Sequence, residues 1–332
     1  MNTRKGNDRL SARSTSRIFV TVRPLNTVTL VTALLCGGLR PAASAQSSRL
    51  SDLSQRISAR IASVAGAEVA VSFRDLATGD SLDLAADVSF HAASTMKIPV
   101  MLEVLRSVDE GRLRLDQQVL LVNRFHSIVD GSPYSLDSKD DGDSSMYARV
   151  GTRVAVRDLL ERMIVRSSNL ATNALVSLVG ADQVTASARR LGAGRVQVLR
   201  GVEDGKAFTA GLNNTTTSSD LATLLLRIER GEALSADRAH FMRDVLLRQE
   251  FNDEIPAGIP PGVPVAHKTG SITATLHDAA IVYPPQRAPY VLVVLTRKIP
   301  DEQVARALIV DISRLVWAHA VGTPGTSATG AR

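Results

Sequence analysis

Ser94-Thr95-Met96-Lys97 and, far downstream, Lys268-Thr269-Gly270 are the two stretches on which the reading of this 332-residue chain turns. The first opens a run with helical spacing through Leu105, with Pro99 in the tolerated first turn and Gly111 beyond its end. The second falls in Val265 to Thr269, which reads as a strand. Residues three apart on a helix share a face, so the Lys97 amine is expected beside the Ser94 hydroxyl. A serine hydroxyl becomes a nucleophile when a neighbouring base takes its proton, and a buried lysine with a lowered pKa can serve. Of the six lysines in the chain, Lys97 alone has a serine three residues before it. That pattern nominates Ser94 as a nucleophile and Lys97 as a candidate for its base.

Working outward, Leu50 to Val64 carries apolar residues at helical spacing, and Ala67 to Phe73 alternates as a strand does. A turn at Ala77-Thr78-Gly79-Asp80 leads into Ser81 to Leu84, a second strand by hairpin logic. The middle of the chain is helical: Val156 to Val165, Asn169 to Val179 and Asp182 to Leu191, with Asp130 to Asp143 as a polar surface loop. Arg195 to Thr217 shows neither periodicity and reads as a long ordered loop, a kind of segment that is usually functional. Ser218 or Ser219 is expected to cap a helix from Asp220 to Arg230. Strands then follow at Val265 to Thr269, Asp278 to Tyr283 and Tyr290 to Thr296, before a closing helix from Asp301 to Ala318. The expectation is an α+β fold: a five-stranded antiparallel sheet built from both chain ends with flanking helices, plus an inserted all-α lobe.

The first 45 residues read as a secretory leader. A basic start runs into the apolar stretch Val28 to Leu39, and Ala43-Ser44-Ala45 offers a small-x-small cleavage site. The apolar run is short for a membrane anchor. Cys36 lies within it, preceded by Leu34-Leu35 where a lipoprotein site wants a small residue. The leader holds seven of the 39 basic residues and one of the 33 acidic ones, so the remainder is balanced at 32 of each. The net charge of +6 is therefore no argument for nucleic acid or an anionic membrane. Without Cys36 the remaining 287 residues contain no thiol, and the six histidines show no metal-ligand spacing, so no cofactor is implied. Residues 46–321 are expected as one domain, with an α/β lobe at about 46–93 and 220–321 and a helical lobe at about 94–219. The small polar tail, 322–332, is expected to be disordered.

Ser167-Ser168-Asn169 lies between the two opening stretches, at the start of a helix. Ser94-x-x-Lys97, Ser167-Ser168-Asn169 and Lys268-Thr269-Gly270 follow the order of the S-x-x-K, S-D-N and K-T-G motifs. With them, essentially the whole chain after the leader resembles the class A β-lactamases and, more broadly, the penicillin-recognising serine hydrolases. The resemblance implies hydrolysis of the β-lactam ring through an acyl-enzyme on Ser94. Ser167 would relay a proton to the leaving nitrogen, and Asn169 would orient the substrate amide. Lys268 and Thr269 would hold its carboxylate, and Gly270 would permit close backbone approach. The backbone N–H groups of Ser94 and Ser271 would form the oxyanion hole. Aligned with the family's long loop, Glu203 takes the place of the base that activates water for deacylation.

The chain departs from the family pattern at three points. Ser168 stands where the second motif usually has Asp, Lys206-Ala207 stand where Leu-Asn would follow the glutamate, and no arginine follows the third motif closely. His277 near that point reads as a strand residue beside Asp278. Two alternatives stay open on sequence: a DD-peptidase or esterase with the same Ser-Lys machinery, and a penicillin-binding sensor that stays acylated. The partner expected is a small β-lactam, with no nucleic acid and no membrane after leader removal. The protein is expected to be an exported, periplasmic or secreted, monomer.

Overall fold

The computed structural model describes residues 40–322, of which 44–322 belong to one compact unit and 40–43 to another. The expected leader up to residue 39, with Cys36, and the tail beyond Gly322 lie outside the described residues. Helix α1 spans Arg40–Ala62, starting ten residues before the expected Leu50.

Five strands form the main sheet: β1 (Glu68–Asp75), β2 (Ser81–Leu84), β3 (Val265–Ile272), β4 (Thr275–Val282) and β5 (Tyr290–Arg297). Their order is β2-β1-β5-β4-β3, antiparallel throughout, so the two chain ends meet at the β1–β5 pair. Side chains alternate between two cores because successive strand residues face opposite ways. Val71, Phe73, Ala280, Leu292 and Val294 pack with Leu53 and Ile57 of α1 and with Leu308, Ile312 and Val316 of the closing helix. Ala70, Ala279, Ile281, Val293 and Leu295 join the helices inserted between β2 and β3. The central strand β5 is buried from Tyr290 to Thr296. At about 1.5–3 kcal/mol for each large apolar side chain buried, this strand anchors both layers.

The inserted helices are α2 (Lys97–Asp109), α3 (Val156–Val165), α4 (Asn169–Val179), α5 (Ala181–Arg190), α6 (Gly205–Thr209), α7 (Ser218–Glu229) and α8 (Ala236–Leu247), and α9 (Glu302–Val321) closes the described chain. Three details differ from the sequence reading. The helix expected from Ser94 begins as a 3-10 turn, Ala93–Met96, and becomes α-helical at Lys97. Thr217, rather than Ser218 or Ser219, caps α7, its hydroxyl accepting from Asp220 N. The insertion also contains short strand pairs, Gln118–Leu120 with Arg153–Ala155 and Phe125–His126 with Pro133–Tyr134. These segments are too short for alternation to show as a pattern.

Strand β3 lies at the sheet edge, and the Ala93–Met96 turn packs against it. That contact brings the two opening stretches of sequence together.

Candidate active site

The turn carrying Ser94 is held in an unfavourable backbone conformation. Ala93 has φ of 44°, a left-handed value that costs a residue with a Cβ about 1–2 kcal/mol. Two histidines oppose that cost. The Ala93 N–H donates to His91 Nδ1 at 3.0 Å, and His277 Nε2 lies 2.9 Å from the His91 carbonyl oxygen. His277 is thus a brace between β4 and the Ser94 turn; the carboxylate of Asp278 pairs instead with His267, at 3.0 Å. Opposite the turn, a Cβ on Gly270 would fall 3.0 Å from both Ser94 N and Thr95 N. Only glycine lets β3 approach the Ser94 backbone this closely.

Lys97 and Lys268 are both fully buried, and both reach Ser167. Lys97 Nζ lies 2.6 Å from Ser167 O, 2.9 Å from Asn169 Oδ1 and 3.0 Å from Ser167 Oγ. Lys268 Nζ donates to Ser167 Oγ at 3.1 Å and to its neighbour Thr269 O at 2.9 Å. The expected Ser94–Lys97 hydrogen bond is not among those of the described residues, because the start of α4 offers the amine three oxygens. Burial lowers the Lys97 pKa well below the ordinary lysine value, repulsion from Lys268 adds to this, and Asp141 and Glu203 oppose it. Burial also brings Lys268 down to about 7, against the attraction of Asp278 and Glu254. A neutral Lys97 would satisfy the two carbonyl acceptors with its N–H bonds and leave its lone pair for a hydroxyl proton. Ser167 itself has φ of 56°, a second strained residue in the site.

The serine at position 168 is explained by Asp141, a residue that the sequence reading left in a surface loop. Ser168 Oγ caps α4 by accepting from Ala171 N, and the Asp141 carboxylate accepts from Asn169 N and Leu170 N at 2.9–3.0 Å. An acidic group at a helix N-terminus complements the exposed N–H groups and the dipole. Where the S-D-N pattern has an aspartate this chain has Ser168, and a carboxylate from a different segment stands at the same helix start. Its only trace in the sequence is the acidic run of Asp137, Asp140, Asp141 and Asp143.

The 195–217 loop is ordered by two asparagines. Asn214 Oδ1 accepts from Leu199 N at 2.8 Å and Arg200 N at 3.2 Å, and Asn173 Oδ1 accepts from Val202 N at 2.6 Å. A Cβ at Gly201 would come within 2.3 Å of that Asn173 oxygen, so the crossing requires glycine. Past the crossing Glu203 adopts φ of 61°, and its Oε1 lies 3.4 Å from Asn169 Nδ2. Burial, then the nearby Asp140 charge, raises the Glu203 pKa above the ordinary glutamate value. Lys206 turns outward to Asp130 and Ser132, while Ala207 is buried.

One cavity of about 550 Å3 collects these groups: Ser94, Ser167, Asn169 and Glu203 line it, as do Thr269, Gly270 and Ser271 of β3. Lys97 and Lys268 lie buried beneath its wall. At the far end Arg306, from α9, also lines the cavity, held by Glu302 at 2.6 Å and Glu254 at 3.4 Å. Its pairing with Glu302 is an ordinary i,i+4 helix pair, so nothing in the sequence singles it out as a cavity residue. Among the described residues no cluster of three or more His, Cys, Asp or Glu side chains could hold a metal ion.

A sheet-edge strand, a strained serine turn and two buried amines around the Ser167 hydroxyl thus meet in an α+β fold. The family model for the β-lactamase enzyme family matches residues 52–320, and the chain belongs to that family. A β-lactamase of Amycolatopsis lactamdurans is 30% identical over 246 residues, 73% of this chain and 76% of that one. Among solved structures, a leucine-to-glutamate variant of PBP-A, an acyl-enzyme complex with penicillin G, has TM-score 0.68 and 29% identity over 81% of this chain and 96% of that one. An ancestral class A β-lactamase has TM-score 0.65 and 27% identity, covering 82% and 98% of the two chains. Within the family the resemblance is to class A, and the chain is an enzyme of β-lactamase type.

Proposed function

We propose that the protein opens the β-lactam ring of penicillin- and cephalosporin-type compounds through a covalent acyl-enzyme on Ser94. The observation that carries this is the convergence of Ser94, Ser167, Asn169 and Glu203 with the β3 edge in one cavity, above two buried amines. Thr269 and Lys268 receive the substrate carboxylate. Ser94 Oγ attacks the ring carbonyl carbon while its proton passes to neutral Lys97. The carbonyl oxygen takes up negative charge against the N–H groups of Ser94 and Ser271. As the C–N bond breaks, Ser167 protonates the nitrogen and regains a proton from Lys97, 3.0 Å away.

Glu203 then removes a proton from water as the water attacks the ester carbon. The ester C–O bond breaks, the proton returns to Ser94 Oγ, and the opened acid leaves. Export to the periplasm or medium follows from the leader in residues 1–45, with cleavage after Ala45.

A second reading, in which the protein stays acylated as a penicillin-binding sensor, is favoured by one observation: buried Ala207 stands where the family places an asparagine. Hydrolysis of a chromogenic cephalosporin separates the two. The lactamase reading expects many turnovers per enzyme, abolished by Ser94→Ala; a single burst with no further product supports the sensor. Steady turnover by the Ser94→Ala variant contradicts both.

A further inference from the structure

His91 leaves one donor of the cavity wall unassigned. It precedes Ser94 by three residues, on the short strand Phe90–His91 that pairs with Thr215–Thr216 beyond the 195–217 loop's centre. It lines the same cavity as Ser94 and Glu203. Its tautomer is fixed by geometry. A backbone N–H can only donate, and Ala93 N–H donates to Nδ1, so the neutral ring carries its proton on Nε2. Burial, followed by the charge of Arg200, lowers the His91 pKa and keeps the ring neutral at pH 7. Among the described residues Nε2 has no hydrogen-bond partner.

The ring is also held in place. His277 Nε2 engages the His91 carbonyl at 2.9 Å, and Thr296 N–H donates to His277 Nδ1 at 3.1 Å, which makes His277 Nε2 the donor. Phe208 meets the His91 ring edge-on, with centroids 6.2 Å apart. Phe208 follows Ala207 on α6, the residue lacking the side-chain amide that the family pattern puts next to the water. His91 thus touches the residue next to Ala207 and shares its cavity with Glu203.

We propose that His91 is a catalytic residue of deacylation, its Nε2–H donating to the oxygen of the hydrolytic water. This rests on the lactamase reading of the site. The water accepts from His91 through one lone pair, gives a proton to Glu203 and attacks the ester carbon through its other lone pair. His91 gains and loses no proton. Fixing the water in this way replaces the asparagine that Ala207 does not supply.

The test follows acylation and deacylation separately, by rapid-quench intact mass after mixing with benzylpenicillin, in the wild type, His91→Asn and His91→Gln. Asparagine keeps an acceptor near the Nδ1 position for Ala93 N–H and removes the distal donor; glutamine places an N–H near the Nε2 position. The expected result is wild-type acylation and about 10- to 100-fold slower deacylation in His91→Asn, with part of the loss recovered in His91→Gln. If His91→Asn loses acylation and deacylation by the same factor, the residue is structural and the proposal is overturned. If the wild type turns over and both variants match it, the proposal is overturned while the lactamase reading stands. A wild type that never forms an adduct overturns both.

Discussion

Lys97 and Lys268 meet on one oxygen: the Ser167 hydroxyl stands 3.0 Å from the first amine nitrogen and 3.1 Å from the second. Two like charges cannot both be retained cheaply in a buried site, so the pair favours a state with at most one proton in excess. Ser167 is then a switch point, able to donate toward one amine while accepting from the other. Replacing it with alanine should slow acylation about 100-fold or more, the scale of a lost proton-transfer group. Stopped-flow acylation with benzylpenicillin measures this directly, and a rate within a few-fold of wild type would remove Ser167 from the proton path.

The same charges set the pH profile. In the proposed mechanism Glu203 acts as base when ionised, and its pKa is raised, so deacylation should fall with decreasing pH at values above the ordinary glutamate range. The same mechanism has Lys268 bind the substrate carboxylate when protonated, and its pKa is about 7, so kcat/KM for anionic substrates should fall as pH rises through neutrality. Once the carboxylate is bound, the cation is stabilised, and the alkaline limb of kcat should lie higher than that of kcat/KM. Lys268→Arg, with a side chain that stays charged, should remove the alkaline limb. An unchanged limb would assign it to another group.

Lys268 also links stability to pH. Its folded-state pKa of about 7 lies below the unfolded value of 10.5, so between those values the unfolded chain binds more protons and stability rises with pH. Relative to Lys268→Met, the wild type should therefore gain stability from pH 7 toward pH 10. Urea unfolding at several pH values would show a constant difference if the amine were not titrating in the fold.

Asp141→Ala should lower stability by about 1–2 kcal/mol, the usual worth of a helix cap reinforced by charge, and loosen Asn169 and the start of α4. Ser168→Asp alone should not add stability, since a second carboxylate would crowd the one already at that helix end. Denaturant midpoints for the two variants test both statements.

Gly270→Ala places a methyl 3.0 Å from Ser94 N and Thr95 N. Since β3 is an edge strand, it can shift outward and preserve the fold, but the oxyanion geometry is lost. Turnover should fall about 100-fold or more while unfolding changes modestly. Near-normal turnover would show that the close approach is not needed.

Much of the fold was legible where one period dominated. Val156–Val165 and Asn169–Val179 match their expected bounds, and the three late strands were each found within three residues of their observed ends. Helix α8 was missed because Ala239, Met242, Val245 and Leu246 are its only buried apolar positions, set among Asp237, Arg238, His240, Arg243 and Asp244. The site followed the same rule. Its motifs can be read locally, and they lie around one cavity. His91 and Arg306 line that cavity from a two-residue strand and the last helix, and Asp141 reaches Asn169 from a loop, so none belongs to a motif that marks it.

The central claim is that Ser94 carries the acyl group and Glu203 releases it. Intact-mass and peptide mapping of the Glu203→Gln variant after benzylpenicillin tests this most directly. The account predicts a persistent one-to-one adduct on the peptide containing Ser94, where the wild type shows only a transient one. No adduct, an adduct on another peptide, or wild-type release by Glu203→Gln would contradict it.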